Sequence, residues 1–145
     1  MRGPLKWSTL LFLPVATVAC LVPPPPLELR ESALVAPDAA YGCALGLVDS
    51  LGYTLRASDR ASGFLSAGRA YTVFAGQRRD QLTVAILKVN DSTQVHVTAK
   101  TTDVTAKQDG ADNATTIGAS DKLASDAILI LSRCGDARVA SAGQP

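Results

Sequence analysis

Three cysteines, one histidine and a scatter of aspartates are the residues through which this chain could do chemistry. His96 has Asp91, Ser92 and Asp103 nearby in sequence. Nucleophilic catalysis, however, needs a nucleophile held by a base and a base oriented by an acid. A lone histidine on the polar side of an alternating segment is read as a solvated side chain. One histidine and a pair of cysteines also fall short of the three or four ligands of a zinc site. Asp103, Asp109, Asp112 and Asp121 gather around a polar stretch. Yet Asp109-Gly110-Ala111-Asp112-Asn113 lacks the Asp-x-Asp-x-Asn-Gly order and the distal glutamate of a calcium loop. Arg78-Arg79 could touch anionic headgroups but reads as part of a solvated turn. No phosphate loop or nucleophile elbow occurs. The expectation is no catalytic residue, no metal and no cofactor. What remains is cysteine chemistry: Cys20, Cys43 and Cys134, an odd number.

The first of these sits at the end of a segment that sets the compartment. Arg2 and Lys6 precede the apolar run Leu10-Leu11-Phe12-Leu13-Pro14-Val15-Ala16, which closes on Thr17-Val18-Ala19-Cys20. A charged start, a short apolar centre and small residues at the end form a secretory signal. The run is too short to span a bilayer, which takes about 20 apolar residues. Thr17-Val18-Ala19-Cys20 resembles the lipobox of bacterial lipoproteins, with Thr17 where that family usually has Leu. The resemblance implies cleavage before Cys20, lipidation of Cys20 and a membrane anchor. Leu21 after Cys20 implies sorting to the outer membrane, facing the periplasm. Residues 1–19 are then the signal, and 20–36 a lipidated cysteine with a tether. In that tether Pro23-Pro24-Pro25-Pro26 forms an extended spacer of about 3.1 Å per residue.

The rest is one domain, residues 37–135, followed by a flexible tail, 136–145. Lys and Arg total 14 against 13 Asp and Glu, and loss of Arg2 and Lys6 leaves 12 against 13. Near-neutral charge and few aromatics argue against nucleic acid. Tyr41, Ala44, Leu45, Val48 and Leu51 recur at helical spacing, with Asp38 as N-cap and Gly52 as the stop. Gly42 and Gly46 read as places where this helix packs closely on a sheet. Four strands follow: Tyr53–Ser58, Phe64–Ala70, Leu82–Val89 and Thr93–Thr102. Turn chemistry separates them at Asp59–Gly63, Ala75–Asp80 and Asn90–Ser92. Tyr53, Leu55, Val84, Ile86, Val95 and Val97 are expected to face the helices. Residues 103–117 read as a long loop. Ser120 caps a last helix with the stripe Leu123, Ala127, Ile130, Leu131 and Cys134.

The expected fold is an α+β two-layer sandwich: helix, four-stranded antiparallel meander, helix, both helices on one sheet face. The element order and the run from Gly52-Tyr53 through Asp59 to Gly63-Phe64 resemble the helix-grip domains of small envelope lipoproteins, those of BamC among them. With the helices antiparallel, Cys43 near the start of one meets Cys134 near the end of the other. An oxidising compartment then favours a Cys43–Cys134 disulfide. The function expected is non-enzymatic: a lipid-anchored envelope protein that binds another envelope component. The alternative is a small ligand-binding or enzymatic domain using the sheet face and the 103–117 loop.

Overall fold

The computed structural model of the chain describes residues 24–74, 76–106 and 112–136. The expected signal segment, Cys20 and the residues beyond Asp136 lie outside them. The elements run β1 (Leu27–Ala33), α1 (Pro37–Ser50), β2 (Thr54–Asp59), β3 (Phe64–Val73), β4 (Gly76–Val89), β5 (Ser92–Ala106), β6 (Asp112–Thr116) and α2 (Asp121–Gly135). The class is α+β, with two helices and one antiparallel sheet of six strands rather than four. The expected meander is there as β2-β3-β4-β5. Beyond β5 the sheet continues with β1, and β6 pairs with a different stretch of β5.

Three expectations change with the extra strands. Leu27–Ala33, assigned to the tether, is β1, paired with Thr93–Ala99. Its alternation of Leu27 and Leu29 with Glu28 and Arg30 suits a half-covered strand. Even Pro24 reaches the domain, lying against Gly118. The 103–117 loop is largely sheet: β5 runs on to Ala106, and Asp112–Thr116 pairs with Thr102–Ala106. The polar turn expected over Ala75–Asp80 is instead the first part of β4, from Gly76 paired with Val73.

Helix α1 starts with Ala36 at the N-cap and Pro37 in the first turn, and no side chain caps it. Proline belongs there because its fixed φ suits the helix and its missing N–H costs nothing at that position. Asp38, expected as the cap, stands one residue inside and accepts two 2.7 Å hydrogen bonds from Arg60. At the other end Gly52 takes φ +80°. Its N–H donates to Asp49 O, while the Tyr53 N–H donates to Val48 O. That pair of bonds is a Schellman closure, and it turns Tyr53 into the core. Ser120 caps α2, its hydroxyl accepting from the Leu123 N–H.

One core joins the helices to one sheet face. Leu65 and Ala67 of β3, Leu82, Val84 and Ile86 of β4, and Val95, Val97 and Ala99 of β5 alternate into it. Ala40, Tyr41, Ala44 and Val48 of α1 and Leu123, Ala127, Ile130 and Cys134 of α2 meet them there. Tyr53 joins this core, but Leu55 does not; it is 43% exposed, on a strand exposed throughout. Gly42 and Gly46 do not pack on the sheet either: a Cβ at either position would meet nothing within 4 Å. Leu45, on their side of α1, is exposed as well.

Cys43 and Cys134 are joined, with Cα atoms 5.5 Å apart and a sequence separation of 91. Tyr53, just past the end of α1, bonds Asp126 in the first half of α2. These two links require the helices to run antiparallel. A crosslink closing so long a loop stabilises by about 4–5 kcal/mol in the chain-entropy account. Reduction, or Cys43→Ser with Cys134→Ser, is therefore expected to lower the unfolding free energy by about that amount. Urea titration with and without a phosphine reductant measures it.

Candidate functional site

The strands β3 and β4 carry charged residues on both faces, and the two faces treat them differently. On the core face Arg69 stands opposite Asp80, and Asp80 opposite Thr101. Asp80 is 2% exposed. Arg69 donates to its Oδ2 from Nε at 3.0 Å and from Nη2 at 2.7 Å. Thr101 donates to Oδ1 at 2.6 Å, and the Ser120 hydroxyl lies 3.4 Å from each oxygen. Thr101 in turn accepts the Ser120 N–H at 2.9 Å. The cap of α2 and the buried carboxylate therefore share ligands.

A second carboxylate completes this network. Asp126, buried on α2, accepts a 2.7 Å bond from the Tyr53 hydroxyl and one of 3.0 Å from Lys122. Arg69 Nη1 stands 3.6 Å from it, and the Arg69 guanidinium lies over the Tyr53 ring at 4.6 Å. Burial, with the Asp126 hydrogen bond behind it, pushes the Tyr53 hydroxyl well above its ordinary value of 10.0. For Arg69, burial pulls downward, but the Asp80 hydrogen bond and the surrounding negative charge outweigh it, so its pKa is raised. No buried side-chain polar atom among the described residues lacks a partner. The network is closed on itself and joins β3, β4, β5 and α2.

The opposite face is covered by neither helix. Alternation puts Ser66, Gly68 and Ala70 of β3 on it, opposite Thr83, Gln81 and Arg79 of β4. Lys100 of β5 stands beyond Gln81 in the same row. At Arg56 the β2–β3 register shifts between Leu55 and Ala57. This bulge re-aims the residue, and Arg56 Nε sits 3.6 Å from where a Gly68 Cβ would be. A cavity of about 580 Å³ results, lined by Arg56, Ser66, Gly68, Gln77, Arg79 and Gln81. Gly68 leaves its floor bare. Among the described residues the side chains of Arg56, Arg79 and Lys100 have no hydrogen bond or ion pair.

The residues singled out in the sequence are dispersed. His96 lies on the open face, one ring nitrogen 3.3 Å from Gln94 Oε1. Ser92 donates to Val89 O, and Asp103 accepts from Arg78 Nε at 2.7 Å, so neither joins it. Asp121 is in the first turn of α2, Asp109 lies outside the described residues, and no group of three metal-ligating side chains gathers among those described. The Arg78-Arg79 pair is split by the pleat: Arg78 is tied to Asp103, which raises its pKa, and Arg79 enters the open cavity. Arg56, Lys100 and the Arg69–Asp80–Asp126 network went unnoticed in the sequence. The signal for the network was available in Asp126, a charge on the stripe between Leu123 and Ile130.

No protein-family profile matches the chain, and no curated protein matches it. Among solved structures it is similar to a DUF4468 family protein from Bacteroides ovatus, at 7% identity and a TM-score of 0.32. That likeness covers 61% of this chain and 60% of the other, so it spans less than two thirds of that protein. It is also similar to TTHA0849 from Thermus thermophilus, at 12% identity and a TM-score of 0.38, over 83% of this chain and 100% of that one. Neither likeness carries a role to this chain.

The closed network gives two expected outcomes. Asp80→Ala leaves the Arg69 cation without its main partner and should cost about 3–5 kcal/mol in urea unfolding. Tyr53→Phe should cost about 1 kcal/mol at neutral pH, with a second signature in alkali. An unfolded chain releases the tyrosine proton from about pH 10 upward while the folded one keeps it, so stability falls as pH rises past that point. In Tyr53→Phe, melting temperature should decline less steeply over that range.

Proposed function

We propose that the chain is a non-enzymatic, lipid-anchored protein of the bacterial cell envelope, acting by binding another envelope component across its open sheet face. The observation that carries this reading is the set of cations Arg56, Arg79 and Lys100 on a face that no helix covers, none of them with an internal partner among the described residues. Arg69 and Arg78, by contrast, are tied to Asp80 and Asp103. The anchor rests on Cys20 in its lipobox-like setting, with the outer membrane as destination, and no cofactor is required. The small-ligand alternative draws on the cavity volume of about 580 Å³, which falls within the range of small-molecule sites. Its catalytic form gains nothing from His96, whose neighbour is a glutamine amide.

The anchor and the face are tested separately. Cys20→Ser should turn a membrane attachment that only detergent releases into one that a high-salt wash releases to the soluble fraction. Mass spectrometry of the wild-type mature N-terminus should find an acylated cysteine, and a free amine there would end the lipoprotein reading. The Cys20→Ser chain, freed of lipid, should still co-sediment with isolated envelope fragments. Thr83→Trp, in the middle of the open face, should weaken that co-sedimentation about tenfold without lowering the melting temperature. Unchanged co-sedimentation would rule the open face out.

A further inference from the structure

Resting on that reading of the open face, we infer that the cavity lined by Arg56 and Arg79, with Lys100 one strand away, binds a phosphoryl group, the recognised part of the envelope component. The charge count on this face is the first argument. Asp80 contributes to the cavity wall, but its carboxylate is turned to the core and held by Arg69 and Thr101. Two described acids that share the open face are occupied: Glu28 is beside Arg30 at 3.7 Å. Asp59 accepts the N–H groups of Ala61 and Ser62 in the β2–β3 turn. Among the described residues Arg56 and Arg79 therefore meet at the cavity with no free counter-charge, and Lys100 stands one strand away in the Gln81 row. A single carboxylate would leave most of that charge unbalanced. A phosphoryl dianion matches it, and guanidinium forks fit its oxygens two at a time.

The uncharged lining points the same way. Ser66 is only 8% exposed, faces the cavity and has no side-chain partner among the described residues. Its hydroxyl, open to the cavity and without a partner among the described residues, can donate to an oxyanion. Gln77 and Gln81 add amide donors at the rim. Gly68 keeps the floor low enough for an oxygen to approach beneath Arg56, whose Nε already hangs over it. Below the floor, the Arg69–Asp80 pair holds the same two strands in register, so the donors are carried on a rigid support.

The test uses the purified Cys20→Ser chain, which carries no lipid, and two probes, inorganic pyrophosphate and phosphatidylcholine vesicles with or without phosphatidic acid, whose phosphomonoester can carry two charges. Amide resonances at Arg56, Gly68, Arg79 and Lys100 should shift saturably with pyrophosphate, and sodium chloride should weaken the effect. Arg56→Gln with Arg79→Gln should reduce binding at least tenfold. Neither side chain has a partner among the described residues, so the melting temperature should hold. Lys100→Gln should weaken binding less, and Arg133→Gln, on α2, not at all. Saturable pyrophosphate binding without vesicle binding identifies a soluble or polymer-borne phosphoryl group. Co-sedimentation with the phosphatidic acid vesicles, and not with phosphatidylcholine alone, identifies a lipid headgroup; either supports the inference. Binding of neither probe, or binding that the double variant leaves unchanged, overturns it. In that event a Thr83→Trp effect on envelope co-sedimentation would leave the broader reading of the face standing, and its absence would remove both.

Discussion

The fold turns on one buried carboxylate. Removing an ion such as Asp80 from water costs several kcal/mol even after relaxation, and only a complete set of donors offsets that. Arg69, Thr101 and Ser120 supply it, one each from β3, β5 and the cap of α2. Because Arg69, Asp80 and Thr101 stand directly opposite one another, the donors are assembled only in one register. A slip of one residue on any of these strands would turn a charge outward and an apolar row with it. The ion pair thus specifies alignment where hydrophobic contacts alone tolerate error.

The same pleat that buries Asp80 presents its neighbours to water. Arg79 and Gln81 flank it in sequence and face the other way, as Gly68 and Ala70 do around Arg69. Tied and untied charges are therefore interleaved along β4. The core side is neutralised by its own contacts, and the outer side keeps its cations available. The β2 bulge at Arg56 adds a third strand to that outer set. Among the described residues no hydrogen bond or ion pair links Arg56, Arg79 or Lys100 to that core network, although Arg69 and Asp80 also contribute to the cavity wall.

How much of this was legible depends on what each element buries. Both helices and the central strands were readable because their apolar residues recur at periods that only a buried face explains; Leu82, Val84 and Ile86 are the plainest case. Ser120 and Gly52 were readable as ends because capping and positive φ have distinctive residue preferences. Gly76 to Gln81 was misread because Gln77-Arg78-Arg79-Asp80 has turn-like composition, while its strand character comes from pairing on both sides. β6 escaped notice for a related reason: Asn113-Ala114-Thr115 buries little and is held by backbone bonds to β5. The candidate site was hidden more deeply. Arg56, Arg79 and Lys100 lie on three separate strands, and only strand order and a bulge bring them to one face.

The position of β1 has a consequence for how the molecule is made. Strands β2 to β5 are joined by hairpins and can zip from neighbour to neighbour, but β1 pairs across an interval that includes Leu27 opposite Ala99. Such distant pairings are slow because the intervening chain must be ordered first. A chain emerging from its amino end delivers Leu27–Ala33 before the partner strand exists. For that interval the segment is an apolar-and-charged ribbon with both edges open, and Glu28, Arg30 and Glu31 make it a poor template for other strands. Closure of the sheet by its first strand is then a late event, and a handle by which a nascent chain stays distinguishable from a finished one.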